Sequence, residues 1–168
     1  DDFVGGTIEE FPADLQPGFE LFQGAANCAT CHTLPITHDS DFHNIGVRPD
    51  AEDAGRQDAT GDIADVAKFK TPHIRNVALS APYFHAGTVD TIEDLVDFYD
   101  RGGDFPGPNL DVNIQVLNLT EQEKADLSER LDAVERGTVE RDSALGDGWS
   151  SKLDELEKAK VGLELLLH

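Results

Sequence analysis

Cys28 and Cys31 stand two residues apart with His32 directly after them, and the run Cys28-Ala29-Thr30-Cys31-His32 constrains this chain more than any other stretch. Two thiols at that spacing followed by an imidazole form the attachment site of a c-type haem. The thiols add across the two porphyrin vinyl groups, and the imidazole takes the iron from the proximal side. A redox dithiol or half of a zinc site uses a similar pair. Zinc would need a second ligand pair, which is missing, and no strand pattern precedes Cys28, so haem is the preferred reading. The chain has 2 cysteines, which leaves none for a structural disulfide. Its chemistry then turns on the second axial ligand of the iron.

At 168 residues the chain fits one haem-burying domain with some extension. Lys plus Arg is 13 against 34 Asp plus Glu, a formal net charge of -21. Nucleic acid is excluded as a partner, and an anionic membrane surface is disfavoured. The acidity fits two roles equally: steering a basic electron-transfer partner, or adaptation to a high-salt medium that screens the field. No run of about 18 apolar residues exists to span a membrane. The start at Asp1-Asp2 shows none of the basic, apolar and cleavage regions of a signal peptide. Because c-type attachment takes place outside the cytoplasm, the expectation is a mature exported protein, periplasmic or otherwise extracytoplasmic.

Residues 1–17 carry Gly5-Gly6, Pro12 and Pro17 and read as an irregular N-terminal arm. Phe19, Leu21, Phe22 and Ala25 suit a short helix between Gly18 and Asn27 that delivers Cys28. Residues 33–70 read mostly as loop, and so long a loop is expected to pack on something, here a haem edge. Residues 71–88 read as a buried loop with a short helical piece. Thr91 caps a helix that presents Ile92, Leu95, Val96 and Tyr99 on one face and stops at Gly102-Gly103. After a further loop, Thr120-Glu121-Gln122-Glu123 is a capping box opening a helix through about Val134, packed by Ala125, Leu127, Leu131 and Val134. The haem domain is thus placed at 18–136. Residues 137–168 read as a linker and a C-terminal helix, anchored by Trp149 and ending in Leu165-Leu166-Leu167, that covers this domain or docks on another chain. The fold expected is all-α, a cytochrome c-like haem domain with long loops and an added C-terminal helix.

The chain has no methionine, which removes a common partner of histidine on c-type haem iron. His38, His43, His73, His85, His168, Tyr83, Tyr99, a lysine or an open position remain. His38 and His43 follow His32 too closely to reach over except through a tight loop, and His73 after Pro72 reads as a hydrogen-bonded loop residue. Position and residue type leave Tyr99 and His85 equal. A phenolate would favour ferric iron and lower the potential, whereas a core tyrosine would only satisfy its hydroxyl. Arg48, Arg56 and Arg75 are candidates for the haem propionates, against the plainer reading of surface salt bridges.

Several ordered motifs resemble the C-terminal haem domain of the bacterial dihaem cytochrome c peroxidase and MauG family. Besides Cys28–His32, they are Phe42-His43-Asn44-Ile45-Gly46, Asp53-Ala54-Gly55-Arg56, Phe69-Lys70-Thr71-Pro72 with Arg75-Asn76-Val77, Ala81 to Gly87, Thr91 to Tyr99, and Leu119 to Lys124. The likeness covers about residues 18–134. It implies one covalent haem c on Cys28, Cys31 and His32. Tyr99 matches the position where the peroxidases place a methionine ligand and MauG a tyrosine, which makes Tyr99 the expected second ligand and His85 a haem-pocket residue. The resemblance further implies half of a calcium site, from backbone oxygens of Ser80 and Pro82, with the other half on a haem domain that this chain lacks. The function expected is electron transfer through a His/Tyr-ligated haem, as a free carrier or a subunit beside a redox protein partner. The alternative is a peroxidase or MauG-like oxidase subunit that needs a second haem-containing domain or loss of the distal ligand.

Overall fold

Pro17 lies in the first turn of α1 (Gln16–Gln23), where a helix has no use for the N–H that proline lacks. The computed structural model describes residues 13–34 and 36–133. A 3-10 turn over Ala13–Leu15 leads into α1, so the last part of the expected arm is helical and the helix starts before Gly18. Phe22 and Gly18 are its buried residues. Gly24 ends it, donating its N–H to the carbonyls of Glu20 and Leu21. Asn27, in the left-handed region at φ 55°, then redirects the chain into a 3-10 turn over Cys28–Thr30.

Thr91 caps α3 (Ile92–Asp100) by accepting the Asp94 N–H at 3.1 Å. The expected face holds at Ile92 and Val96, while Leu95 and Tyr99 are half-buried. Phe98, absent from that stripe, is the most completely buried large side chain of the described residues, 1% exposed. Phe84 approaches it with ring centroids 4.5 Å apart. The helix α4, residues 121–133, opens on the predicted capping box. The Glu123 N–H reaches the Thr120 hydroxyl at 3.3 Å, and the Glu123 carboxylate accepts the Thr120 N–H at 2.8 Å. Leu127 and Leu131 are buried as expected, whereas Ala125 faces solvent. Val134 and the predicted C-terminal helix lie outside the described residues.

Phe22 and Ala26, Ile92 and Val96, and Leu127 and Leu131 join Val77 and Tyr83 in one apolar cluster. Burying such side chains stabilises the fold by roughly 1.5–3 kcal/mol each for the larger ones. The crossing of α1 and α4 is close. A Cβ on Gly18 would stand 2.2 Å from the Asp126 carbonyl oxygen.

The long loop is not free of regular structure. β1 (Phe42–His43) pairs antiparallel with β2 (Phe69–Lys70), Phe42 opposite Lys70 and His43 opposite Phe69. Between them lie the one-turn helix α2 (Gln57–Thr60) and a 3-10 turn over Ile63–Asp65. The fold is therefore mostly helical with a minor sheet. Two-residue strands carry too little alternation to be read from a sequence. Asn44, 2% exposed, organises the loops. Its side chain bonds Asp50 Oδ1 and the Gly46 N–H, both at 2.9 Å, and its carbonyl accepts the Asp111 N–H. Residues 71–88 differ from the expectation of a buried loop: Thr71, Val77 and Tyr83 are buried, and most of the others are exposed.

Candidate haem-attachment site

The His32 N–H donates to the Cys28 carbonyl at 2.9 Å, a full helical turn back. Cys28, Cys31 and His32 occupy positions i, i+3 and i+4 of this turn and so share one face. Cys28 packs against the apolar cluster, which anchors the turn to the core. Both cysteines are free thiols in the structure. Burial pushes the Cys28 thiol up to about 12. Burial, with the carboxylates of Asp39, Asp111 and Asp41 in support, pushes Cys31 up to about 11. A redox dithiol works through a depressed thiol pKa, so this environment argues against that alternative.

His32 Nδ1 lies 3.0 Å from the Thr37 carbonyl oxygen. A carbonyl only accepts, so the proton sits on Nδ1 and Nε2 is left as the lone-pair nitrogen, the arrangement a metal-ligating histidine needs. Burial lowers the His32 pKa, with the Thr37 carbonyl opposing. Thr37 is 4% exposed and sits at φ 62°. For a β-branched residue this is a strained left-handed conformation costing about 1–3 kcal/mol. Its N–H closes the loop on the Thr33 carbonyl at 2.7 Å, and the Thr33 hydroxyl holds the His38 carbonyl at 2.9 Å. Sequence reasoning missed Thr37, since no residue type signals a carbonyl acceptor.

Tyr99 arrives from the last turn of α3, with Phe84 and Phe98 against its ring at centroid distances of 6.2 and 5.3 Å. Part of the residue's surface is exposed, but the phenol group sits deep. Burial raises its pKa well above the usual phenol range, and the Cys28 and Cys31 sulfurs add to the effect. The phenol is thus within electrostatic reach of both attachment thiols. Two thiols and an imidazole on one face, with a phenol near the thiols, form a donor set that fits a covalently tethered haem. A cavity of about 10 Å³ lined by Asn44, Ile45, Val47, Ala67, Phe69 and His85, among others, contains none of these donors and has room for little more than a water.

Cytochrome-c peroxidase IdrP1 of Denitromonas iodatirespirans is 31% identical over 157 residues, covering 76% of this chain and 42% of the relative. The methylamine utilization protein MauG of Methylorubrum extorquens is 33% identical over 124 residues, covering 73% of this chain and 35% of the relative. The chain is a homologue of the cytochrome c peroxidase and MauG proteins. A crystal structure of a MauG-like protein associated with microbial copper homeostasis superposes with a TM-score of 0.66 at 31% identity, over 79% of this chain and 46% of that one. No protein-family model matches. The chain spans less than half the length of these cytochrome c peroxidase and MauG relatives.

Of the other residues singled out in this peroxidase/MauG homologue, Arg48 and His85 line the small cavity together. His85 stacks on Phe69 at 3.6 Å between centroids and holds Asp53 Oδ2 at 2.9 Å through Nε2. Arg56 lies over the Phe42 ring at 4.1 Å and pairs with Asp65 at 3.2 Å. Arg48 likewise faces Glu52 at 3.5 Å. Arg75, Ser80 and Pro82 are exposed, and the Ser80 hydroxyl donates to the Val77 carbonyl at 2.8 Å.

His43 is clamped between two carboxylates, Nδ1 to Asp111 Oδ2 at 2.6 Å and Nε2 to Asp39 Oδ2 at 2.9 Å. Burial alone would lower the His43 pKa, but Asp111 and Asp39 overcome it and raise it. Burial would likewise raise Asp39, yet the Asp41 N–H and the His43 ring bring it down to about 2. Cys31 Sγ, an Asp39 oxygen and a His43 nitrogen lie within 4.8 Å of one another. With both ring nitrogens engaged, the cluster is best described as an ion cluster beside the attachment turn. Sequence reasoning weighed His43 only as an axial ligand, and nothing in the chain signalled its pairing with Asp111.

Proposed function

We propose that residues 18–136 form a haem domain of the C-terminal peroxidase type, which would carry one haem c on Cys28 and Cys31, with His32 and Tyr99 as its iron ligands. The domain works in a peroxidase or MauG-like oxidoreductase, outside the cytoplasm, together with a second haem-containing domain. The observation that carries this reading is the shared face of Cys28, Cys31 and His32 on one helical turn. Homology to enzymes of that activity, over less than half their length, supports the partner domain.

When bound, the haem supplies a one-electron iron centre. The chain's own residues do the rest. Cys28 and Cys31 would tether the group, and His32, oriented by the Thr37 carbonyl, and the buried Tyr99 phenol would hold its iron. The phenol is raised in free form, and coordination would have to remove its proton, as metals do with acidic ligands. The Ser80 and Pro82 carbonyls would supply half of a calcium site shared with the partner domain.

The test uses the haem-loaded full chain. Mass spectrometry should show one covalent haem, lost in Cys28→Ala/Cys31→Ala. Tyr99→Phe should open the distal position and change the ferric spectrum; an unchanged spectrum sinks the Tyr99 assignment. Peroxide turnover should appear only with a second haem protein supplied. The runner-up, a free electron carrier, follows if Tyr99 takes the second ligand position of the iron and leaves none for peroxide. Rapid exchange with small mediators and no turnover with any haem partner would select it.

A further inference from the structure

The loop that orients His32 is held from outside by His73, which follows β2. His73 Nδ1 donates to the Ile36 carbonyl at 2.9 Å, and the same nitrogen lies 3.4 Å from the Thr37 hydroxyl. Because a carbonyl only accepts, the His73 proton is on Nδ1 and is shared between the two oxygens. His38, the next residue along the loop, packs edge-on against the His73 ring at 4.2 Å. One imidazole therefore grips residues 36, 37 and 38, and the middle one carries the carbonyl that receives the His32 proton. That middle residue is a threonine held at φ 62°, a conformation that persists only where its surroundings over-determine it.

We propose that His73 is a positioning residue for His32, fixing the Thr37 carbonyl so that it stays in place to accept the His32 Nδ1–H. The role rests on the haem reading of Cys28–His32. A firm Nδ1–H bond makes an imidazole a stronger donor to a metal, and a ligand's outer partners tune the metal it holds. Stronger donation stabilises ferric iron, so loosening the bond should raise the midpoint potential.

The experiment compares wild type, His73→Ala and His73→Asn as haem-loaded full chains. Asparagine places an N–H donor near the position of Nδ1. Midpoint potentials are measured by mediated titration, and urea midpoints report stability. His73→Ala should shift the potential upward, and His73→Asn should recover most of the wild-type value. Thr37→Val, which removes the hydroxyl but not the carbonyl, should shift it less than His73→Ala. An unchanged or lowered potential in His73→Ala, whatever its stability, overturns the positioning role, as does an Asn variant no closer to wild type than Ala. A wild-type chain that takes up no covalent haem overturns the underlying reading instead, and the mass spectrum tells the two failures apart.

Discussion

His43→Ala tests the ion cluster beside the attachment turn. The substitution removes two hydrogen bonds, at 2.6 and 2.9 Å, and leaves Asp39 and Asp111 facing each other without the group between them. A hydrogen bond to a charged partner is worth about 1.5–3 kcal/mol. The three side chains keep 15–20% of their exposure, so water compensates part of the loss, and about 2–3 kcal/mol at pH 5.5 is the reasoned expectation. At the usual urea dependence this lowers the midpoint by roughly 1 M.

The pH dependence is the sharper part. Asp39 falls from 3.8 to about 2 in the folded chain, and Asp111 is lowered too. Their contribution is present above 3.8 and is lost as pH falls towards 2. His43 is raised above 6.5. Its contribution is complete below 6.5 and is lost as pH rises through the folded value. The stability difference between wild type and His43→Ala should therefore form a plateau between about pH 4 and 6.5 and shrink on both sides. Urea titrations at pH 3, 5.5 and 9 measure it; a difference of equal size at all three would refute the reasoning.

Gly18→Ala should push α1 from α4, because its Cβ would meet backbone oxygen at 2.2 Å and the Arg130 Cβ at 2.6 Å. A cost of about 1–3 kcal/mol is expected by urea denaturation, and an unshifted midpoint would show that the helices do not cross so tightly. Thr120→Ala should cost about 1 kcal/mol by removing the cap of α4. Glu123 keeps its bond to the residue 120 N–H, so a loss several times larger would count against the cap as the cause.

Local signals were readable where one short stretch carried its own physics. The caps at Thr91 and Thr120 and the burial of Ile92, Val96, Leu127 and Leu131 follow from spacing alone. Phe98 escaped because it lies off the simple stripe of α3 and is buried by Phe84, from a distant loop. The same holds for the site. Candidate donors stand out by residue type, but the groups that support them do not: Thr37 acts through its backbone, His43 through Asp111, and His73 through a carbonyl thirty-odd residues away. Long-range pairs and backbone acceptors leave no residue-type signature. The carrier expectation rests on Tyr99 taking the second ligand position of an iron, whereas the similarity to peroxidases and MauG favours the alternative, an oxidoreductase subunit.

The charge of -21 poses a question that salt can answer. With 34 acidic against 13 basic residues, the folded chain must repel itself, and raising salt from about 0.1 M to 1 M shortens the screening length from about 10 to 3 Å. The His43 cluster is partly shielded from that screening, and exposed pairs such as Arg48–Glu52 at 3.5 Å contribute little to begin with. Relief of repulsion should therefore outweigh loss of attraction, and the urea midpoint should rise with potassium chloride. Steering makes a separate demand: electron exchange with a basic redox protein should slow steeply over the same range. If stability rises while the rate hardly changes, the acidity serves the fold's tolerance of salt and not its encounters. If the midpoint falls, surface attraction holds the chain together more than its net charge suggests, and both accounts of the acidity fail.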